Sequence, residues 1–145
     1  LAATGAAELY LSTSTGIDDP AETHRLVALV GARFPGVVVG LHLHDGNGQA
    51  LACALAGLLA GARVVEGSLN GLGGGLRMPS GMALRGNAAT EDLVQMLGDM
   101  GVATGIELAA LVEVVRRHVP ALGVPLASSA ARGGTRGEVL RAGRV

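Results

Sequence analysis

Short apolar runs alternate with longer amphipathic segments along most of the chain. The runs at residues 7–11 and 37–41 predict strands, and the second lacks polar positions, as expected for a strand buried on both faces. A third strand is predicted at residues 63–68. Helical patterns follow at residues 20–34, 50–59, 90–100 and 107–117. This strand–helix repetition predicts right-handed parallel βαβ units.

Turn-forming and capping residues mark where the helices begin. Asp19 is predicted to cap the first helix, with Pro20 at its first position and Glu22 completing a capping box. Thr90 is predicted to cap the third helix.

After Pro120 we find no clear period, so we expect an irregular extension over residues 119–145 that follows a folded unit of residues 1–118.

A glycine-dominated stretch separates the third strand from the third helix. Residues 70–87 show no period and include Pro79, which is long for an inert connection and predicts an active-site loop, with a short fourth strand near Gly86. A doubly wound sheet stays open as an alternative, but no G-x-G-x-x-G begins a helix here. A (β/α)8 barrel fits better, and since it takes about 250 residues the chain supplies about half of one.

Composition narrows the functional classes. With 11 Lys and Arg against 12 Asp and Glu, and 1% aromatic residues, the chain lacks a basic field and stacking surfaces, so we expect no nucleic-acid partner. It also lacks the roughly 18 to 20 unbroken apolar residues of a membrane span. The lone Cys53, in an apolar stretch, excludes a disulfide framework and predicts a buried thiol and a cytoplasmic location.

Two histidines at the end of the second strand could carry chemistry. His42 and His44 are two residues apart, so a strand places both on one side of the sheet, at the end where barrel enzymes build their sites. The segments 12–15 and 66–70 should reach the same face. Asp45 could orient a ligating imidazole. Polar residues that simply end a strand are the alternative interpretation.

Three motifs carry a family resemblance. They are His-x-His-Asp at residues 42–45, Gly-x-Gly-Gly at 71–74, and Gly-Asn-x-x-Thr-Glu-Asp-Leu at 86–93. In this order the chain resembles the 3-hydroxy-3-methylglutaryl-CoA lyases of the DRE-TIM metallolyase, or pyruvate carboxyltransferase-like, superfamily, over nearly its whole length. The resemblance implies the C-terminal half of a TIM barrel, about strands 5–8 with their helices. The family's metal-binding aspartate on the first strand would lie outside these residues.

The resemblance also implies a reaction and its residues. His42, His44 and Asn87 would bind a divalent cation, Mg2+ or Mn2+, with Zn2+ also compatible with nitrogen and oxygen ligands, and His42 would also move a proton. The reaction would be retro-Claisen cleavage of a 3-hydroxyacyl-CoA into acetyl-CoA and a keto acid. The predicted substrate contacts are Thr13, Asp45, Glu66 and Arg77. Glu66 could instead be a buried polar partner inside the barrel, and Arg77 could simply be exposed to solvent.

Three positions depart from the family pattern. Gly75 stands where the family has a reactive cysteine, Thr13 where it has an aspartate, and Gly46 where it usually has threonine. These departures leave the acyl group of the substrate open.

The sequence also leaves other functions open beside that of a lyase. Residues 65–71 resemble a segment of 2-isopropylmalate and homocitrate synthases, which run a condensation instead. A non-catalytic acyl-CoA-binding homologue and a gene fragment are further alternatives. Because the chain begins at Leu1, we expect it to be truncated and inactive by itself, and its full-length form to be a homodimer.

Overall fold

The computed structural model describes residues 4–74 and 86–143. Three parallel strands form one sheet in the order β1 (Glu8–Ser12), β2 (Val38–His42), β3 (Val64–Glu66). The helices are α1 (Pro20–Arg33), α2 (Ala50–Leu59), α3 (Thr90–Asp99), α4 (Leu108–His118), α5 (Ser129–Gly133) and α6 (Arg136–Ala142). Short 3-10 turns occupy Leu69–Gly71 and Pro120–Leu122. The predicted alternation of strands and helices is confirmed.

Capping explains where α1 begins, though only partly as predicted. The Asp19 carboxylate accepts a hydrogen bond from the Glu22 backbone N–H at 2.9 Å, and Pro20 is the first helical residue. The Glu22 carboxylate turns to Arg25 instead of completing a capping box, because both of its oxygens meet the guanidinium at 2.7 Å. Thr90 begins α3 and does not cap it.

The core lies between one side of the sheet and the first helices. Val39 and Leu41 of β2 are buried and pack with Val27 of α1 and with Cys53 and Ala54 of α2. The predicted burial of Cys53 is therefore confirmed. The prediction that β2 is buried on both faces holds for the side that faces the helices, whereas Val38 and His42 on the other side are partly exposed. A Cβ at Gly57 of α2 would overlap the Leu41 side chain, so the helix approaches the sheet closely at this point.

Residues 86–89 do not form the predicted fourth strand. Instead they make two single bridges, an antiparallel one between His44 and Asn87 and a parallel one between Ser68 and Ala89. The segment crosses the ends of two strands, so its backbone bonds turn from Leu43 to Ser68 before a ladder can extend. This crossing brings Asn87 beside His44.

The C-terminal extension is folded, so the expectation of irregular chain is wrong for α5 and α6. Ser128 caps α5, and Thr135 with Glu138 forms a capping box at α6. Ala130 and Ala131 are buried against α4. The sequence contained the Thr-x-x-Glu signal of α6. The short α5 depends on the apolar face of α4 for stability, and an ion pair between Arg116 and Glu138 holds α6. The boundary between residues 1–118 and 119–145 stays a prediction.

A bidentate ion pair holds α6 near α4. Arg116 donates to both carboxylate oxygens of Glu138, at 2.8 and 3.1 Å, and its Nε donates to the Ala131 carbonyl at 2.9 Å. The Arg116 guanidinium, with help from the Thr135 backbone, lowers the pKa of Glu138 from 4.5 to about 2.

This pair predicts an acid-sensitive contribution to stability. Because the folded state lowers the pKa of Glu138, the contribution is complete above about pH 4.5 and is lost as the pH falls to about 2. In urea unfolding of the complete protein, the stability gap between wild type and Glu138→Gln should close across that range. Glu113→Gln, which breaks an exposed pair with Arg117, is the control. A gap that does not change with pH would contradict the assignment.

In the part of the chain that the structure describes, no helix combines the length and apolar character required to cross a bilayer.

Candidate active site

Three polar side chains line up where the strands end. Strand register pairs Ser12 with His42 and His42 with Glu66. The His42 and His44 rings meet edge to face with centroids 5.0 Å apart. The sheet therefore brings the two predicted histidines together, as a spacing of two residues requires.

Thr13 anchors the histidine segment to the loop after β1. Its hydroxyl accepts a hydrogen bond from the His44 N–H at 2.9 Å, and its own N–H donates to the His42 carbonyl at 3.0 Å. The hydroxyl at the family's aspartate position thus has a backbone partner in this chain. Its predicted contact with substrate stays a prediction.

Asn87 is held from two sides. Its N–H donates to the Gly71 carbonyl at 3.3 Å, and its side-chain Nδ2 donates to the Leu72 carbonyl at 2.8 Å. Gly71 adopts a φ of +67°, and a Cβ at this position would lie 2.7 Å from the Asn87 carbonyl oxygen, so a residue without a side chain is needed. These contacts fix the amide with its nitrogen on Leu72, which leaves Oδ1 as the free acceptor.

Two buried polar atoms at this junction lack partners. Among residues 4–74 and 86–143, His44 Nδ1 and Asn87 Oδ1 are the buried side-chain atoms without a hydrogen bond. Unsatisfied buried atoms are costly, so their presence on adjacent residues indicates a ligand. The described residues hold no group of three or more His, Cys, Asp and Glu suited to a metal. With an amide oxygen included, however, the donor set of His42, His44 and Asn87 fits a divalent cation.

Glu66 contacts His42. Its Oε2 lies 3.0 Å from the ring Nδ1, and the two side chains are 50% and 37% exposed. Both alternatives for Glu66, a buried polar partner inside a complete barrel and a substrate contact, stay predictions.

The Asp45 carboxylate contacts the first residue of α2 and does not orient an imidazole, which corrects that expectation. Its Oδ1 accepts from the Ala50 N–H at 2.8 Å at the start of α2. The chain turns towards α2 directly after His44, which carries the carboxylate away from the rings.

The departure at Gly46 has a local reason. A Cβ there would overlap the Thr15 carbonyl oxygen, because the loops after β1 and β2 touch at this point. Gly75 and Arg77 lie outside the described residues.

A cavity of about 560 Å3 adjoins the junction. Asp45, Asn70, Asn87 and Asp92 contribute to one side, and Gly123, Val124, Pro125 and residues 127–129 contribute to the other. The C-terminal extension therefore forms one wall of a cavity that Asn87, one of the three candidate metal ligands, also lines.

Asn70 holds that wall in place, a role that the sequence interpretation missed. This buried residue has a φ of +56°. Its Oδ1 accepts from Ala127 and Ser128 N–H at 2.6 and 3.2 Å, and Nδ2 donates to the Pro125 carbonyl at 3.1 Å. Asparagine among glycines is a signal for left-handed backbone. Its partners, more than fifty residues away, leave no local pattern.

Two neighbouring acidic residues of α3 complete this anchor. Glu91, which is fully buried, accepts the Asn70 N–H at 2.9 Å. The Asp92 carboxylate accepts from Ser129 and Ala130 N–H at 2.9 and 2.8 Å. The Thr-Glu-Asp motif thus joins the glycine loop to the C-terminal extension.

The sequence and the fold are similar to those of known proteins. The chain is 38% identical over 124 residues to hydroxymethylglutaryl-CoA lyase of Bacillus subtilis, covering 86% of this chain and 40% of that protein. It is 35% identical over 130 residues to (R)-citramalyl-CoA lyase of Chloroflexus aurantiacus, covering 90% and 40%. A solved HMG-CoA lyase from Acinetobacter baumannii, in complex with coenzyme A and 3-methylmalate, superposes with a TM-score of 0.79 at 33% identity, covering 91% and 42%.

These relatives act on CoA esters, and the α/β fold resembles that of the TIM-barrel HMG-CoA lyases. The chain spans about two fifths of the length of the curated relatives it matches. The model of the HMGL-like family matches residues 1–117. The chain therefore belongs to the HMGL-like family of CoA-ester lyases.

Proposed function

We propose that the complete protein containing this chain is a metal-dependent carbon–carbon lyase. It cleaves a 3-hydroxyacyl-CoA, such as 3-hydroxy-3-methylglutaryl-CoA, into acetyl-CoA and a keto acid. The observation that carries the proposal is the pair of buried, unpartnered atoms His44 Nδ1 and Asn87 Oδ1 beside His42. The relation to (R)-citramalyl-CoA lyase makes citramalyl-CoA a second candidate substrate.

His42, His44 and Asn87 would hold the cation, with Mg2+ or Mn2+ preferred and Zn2+ also compatible. When bound, the cation supplies Lewis-acid polarisation of the substrate hydroxyl and a neighbouring oxygen. When its lone pair is not bound to the cation, His42 takes the hydroxyl proton, and the hydroxyl carbon becomes the carbonyl of the keto acid. The carbon–carbon bond breaks, and its electron pair leaves with the acetyl-CoA enolate, which then takes up a proton. Thr13 and Asn70 have structural roles in this proposal. Thr13 fixes the histidine segment, and Asn70 fixes the cavity wall.

Half of the barrel must come from further strands. One face of the sheet carries Tyr10, His42 and Glu66, which are 39%, 37% and 50% exposed. Among the described residues, β1 and β3 each pair with β2 alone. Both features support the proposal that this is the C-terminal half of a TIM barrel, which needs the other half, including an aspartate ligand, to be active. We propose a homodimer for the complete protein.

The proposal is tested by assaying the complete protein after removal of metal by a chelator. We expect acetyl-CoA release from 3-hydroxy-3-methylglutaryl-CoA or citramalyl-CoA to disappear on chelation and to return with Mg2+ or Mn2+. Tight acyl-CoA binding without product would favour the non-catalytic alternative. Condensation of acetyl-CoA with a keto acid, without net cleavage, would favour the synthase alternative.

A further inference from the structure

The contact between His42 and Glu66 constrains the chemistry of the imidazole. The two residues are register partners on adjacent strands, and Glu66 Oε2 lies 3.0 Å from Nδ1 of His42. The contact spans 24 residues of sequence, so the parallel pairing of β2 and β3 creates it.

Carboxylate chemistry decides the direction of this hydrogen bond. An ionised carboxylate accepts hydrogen bonds and donates none, whereas a neutral imidazole donates from one nitrogen and accepts at the other. Glu66 therefore requires the proton of neutral His42 on Nδ1. The lone pair is then on Nε2.

We propose that Glu66 is a positioning residue that fixes His42 in the Nδ1–H form and presents Nε2 to the site. What Nε2 does there rests on the proposed function. The two duties proposed for His42, cation binding and proton transfer, then use the same lone pair on Nε2, so the imidazole performs one of them at a time. This assignment differs from the substrate contact expected of Glu66, since the carboxylate acts through the histidine.

The chain contains two internal controls. His44 has no partner on Nδ1 among the described residues, so the constraint should not apply to it. Glu8 stands two positions before Tyr10 on β1 and accepts a hydrogen bond from the Tyr10 hydroxyl at 2.9 Å. Glu8→Gln therefore removes a carboxylate from the same sheet without touching His42.

The experiment compares wild type, Glu66→Gln and Glu8→Gln of the complete protein, labelled with 15N-histidine and free of metal. Long-range proton–nitrogen spectra, recorded where His42 is neutral, report which ring nitrogen carries the proton. We expect Nδ1–H in wild type and Glu8→Gln. Glu66→Gln should give a mixture, because an amide can present either its oxygen or its NH2 group to Nδ1.

Mn2+ titration of the same proteins gives a second readout without turnover. Loss of a carboxylate behind a ligating histidine typically weakens metal affinity by about 10- to 100-fold, and we expect this for Glu66→Gln alone. A proton on Nε2 of wild-type His42 would overturn the proposal, even if the variant failed to fold. So would unchanged spectra and affinity in folded Glu66→Gln. A tautomer change with no Mn2+ binding by any protein would support the positioning role and contradict the proposed metal-dependent lyase.

Discussion

Replacing His44 with alanine in the complete protein should abolish Mn2+-dependent acetyl-CoA release. The substitution removes a buried nitrogen that has no protein partner among the described residues and lies beside the free Asn87 oxygen. A cation that polarises the substrate lowers the activation barrier by several kcal/mol. Its loss therefore corresponds to a fall of about 10^2- to 10^3-fold in kcat. Mn2+ titration followed by the acetyl-CoA assay measures both effects.

His24→Ala is the matched control, because this histidine is exposed on α1. It should bind Mn2+ and turn over substrate like wild type. Full Mn2+ affinity in folded His44→Ala would contradict the assignment of the cation site.

The second large effect is expected from Asn70→Ala, in the free energy of unfolding. The change leaves the part-buried Ala127 N–H, the buried Ser128 N–H and the Pro125 carbonyl without the partner that Asn70 provides. Each such loss costs about 1–3 kcal/mol, so we expect a total of about 3–5 kcal/mol. Faster hydrogen exchange in residues 123–133 should accompany it, because Asn70 holds this segment against the glycine loop.

Asn70→Gly separates the loss of the side-chain hydrogen bonds from the backbone strain at this position. Glycine adopts the positive φ without strain. The difference in the free energy of unfolding between Asn70→Gly and Asn70→Ala therefore measures the backbone strain of alanine, which we expect to be about 1–2 kcal/mol. Asn47→Ala, at an exposed asparagine of the loop before α2, should change stability little. Unchanged exchange of the C-terminal segment in Asn70→Ala would contradict the proposed anchor.

Local patterns predicted most of the elements. The helix over residues 50–59 has the predicted bounds, since its apolar residues and flanking glycines act within a few positions of one another. The same holds for the convergence of His42 and His44, which follows from the two-residue period of a strand. The patterns failed for α5, which packs on the apolar face of α4, and for α6, which an ion pair with Arg116 of α4 holds in place.

The sequence by itself determined the βαβ order, the histidine pair at a strand end, and, through its motifs, the resemblance to a lyase family. Only the tertiary structure decided which groups these residues meet. Parallel register placed Glu66 on His42, and the crossing of residues 86–89 placed Asn87 beside His44. Packing of the extension gave Asn70 its partners. The physical reason is that strand register and helix packing set these contacts between residues far apart in the chain, where no local periodicity records them.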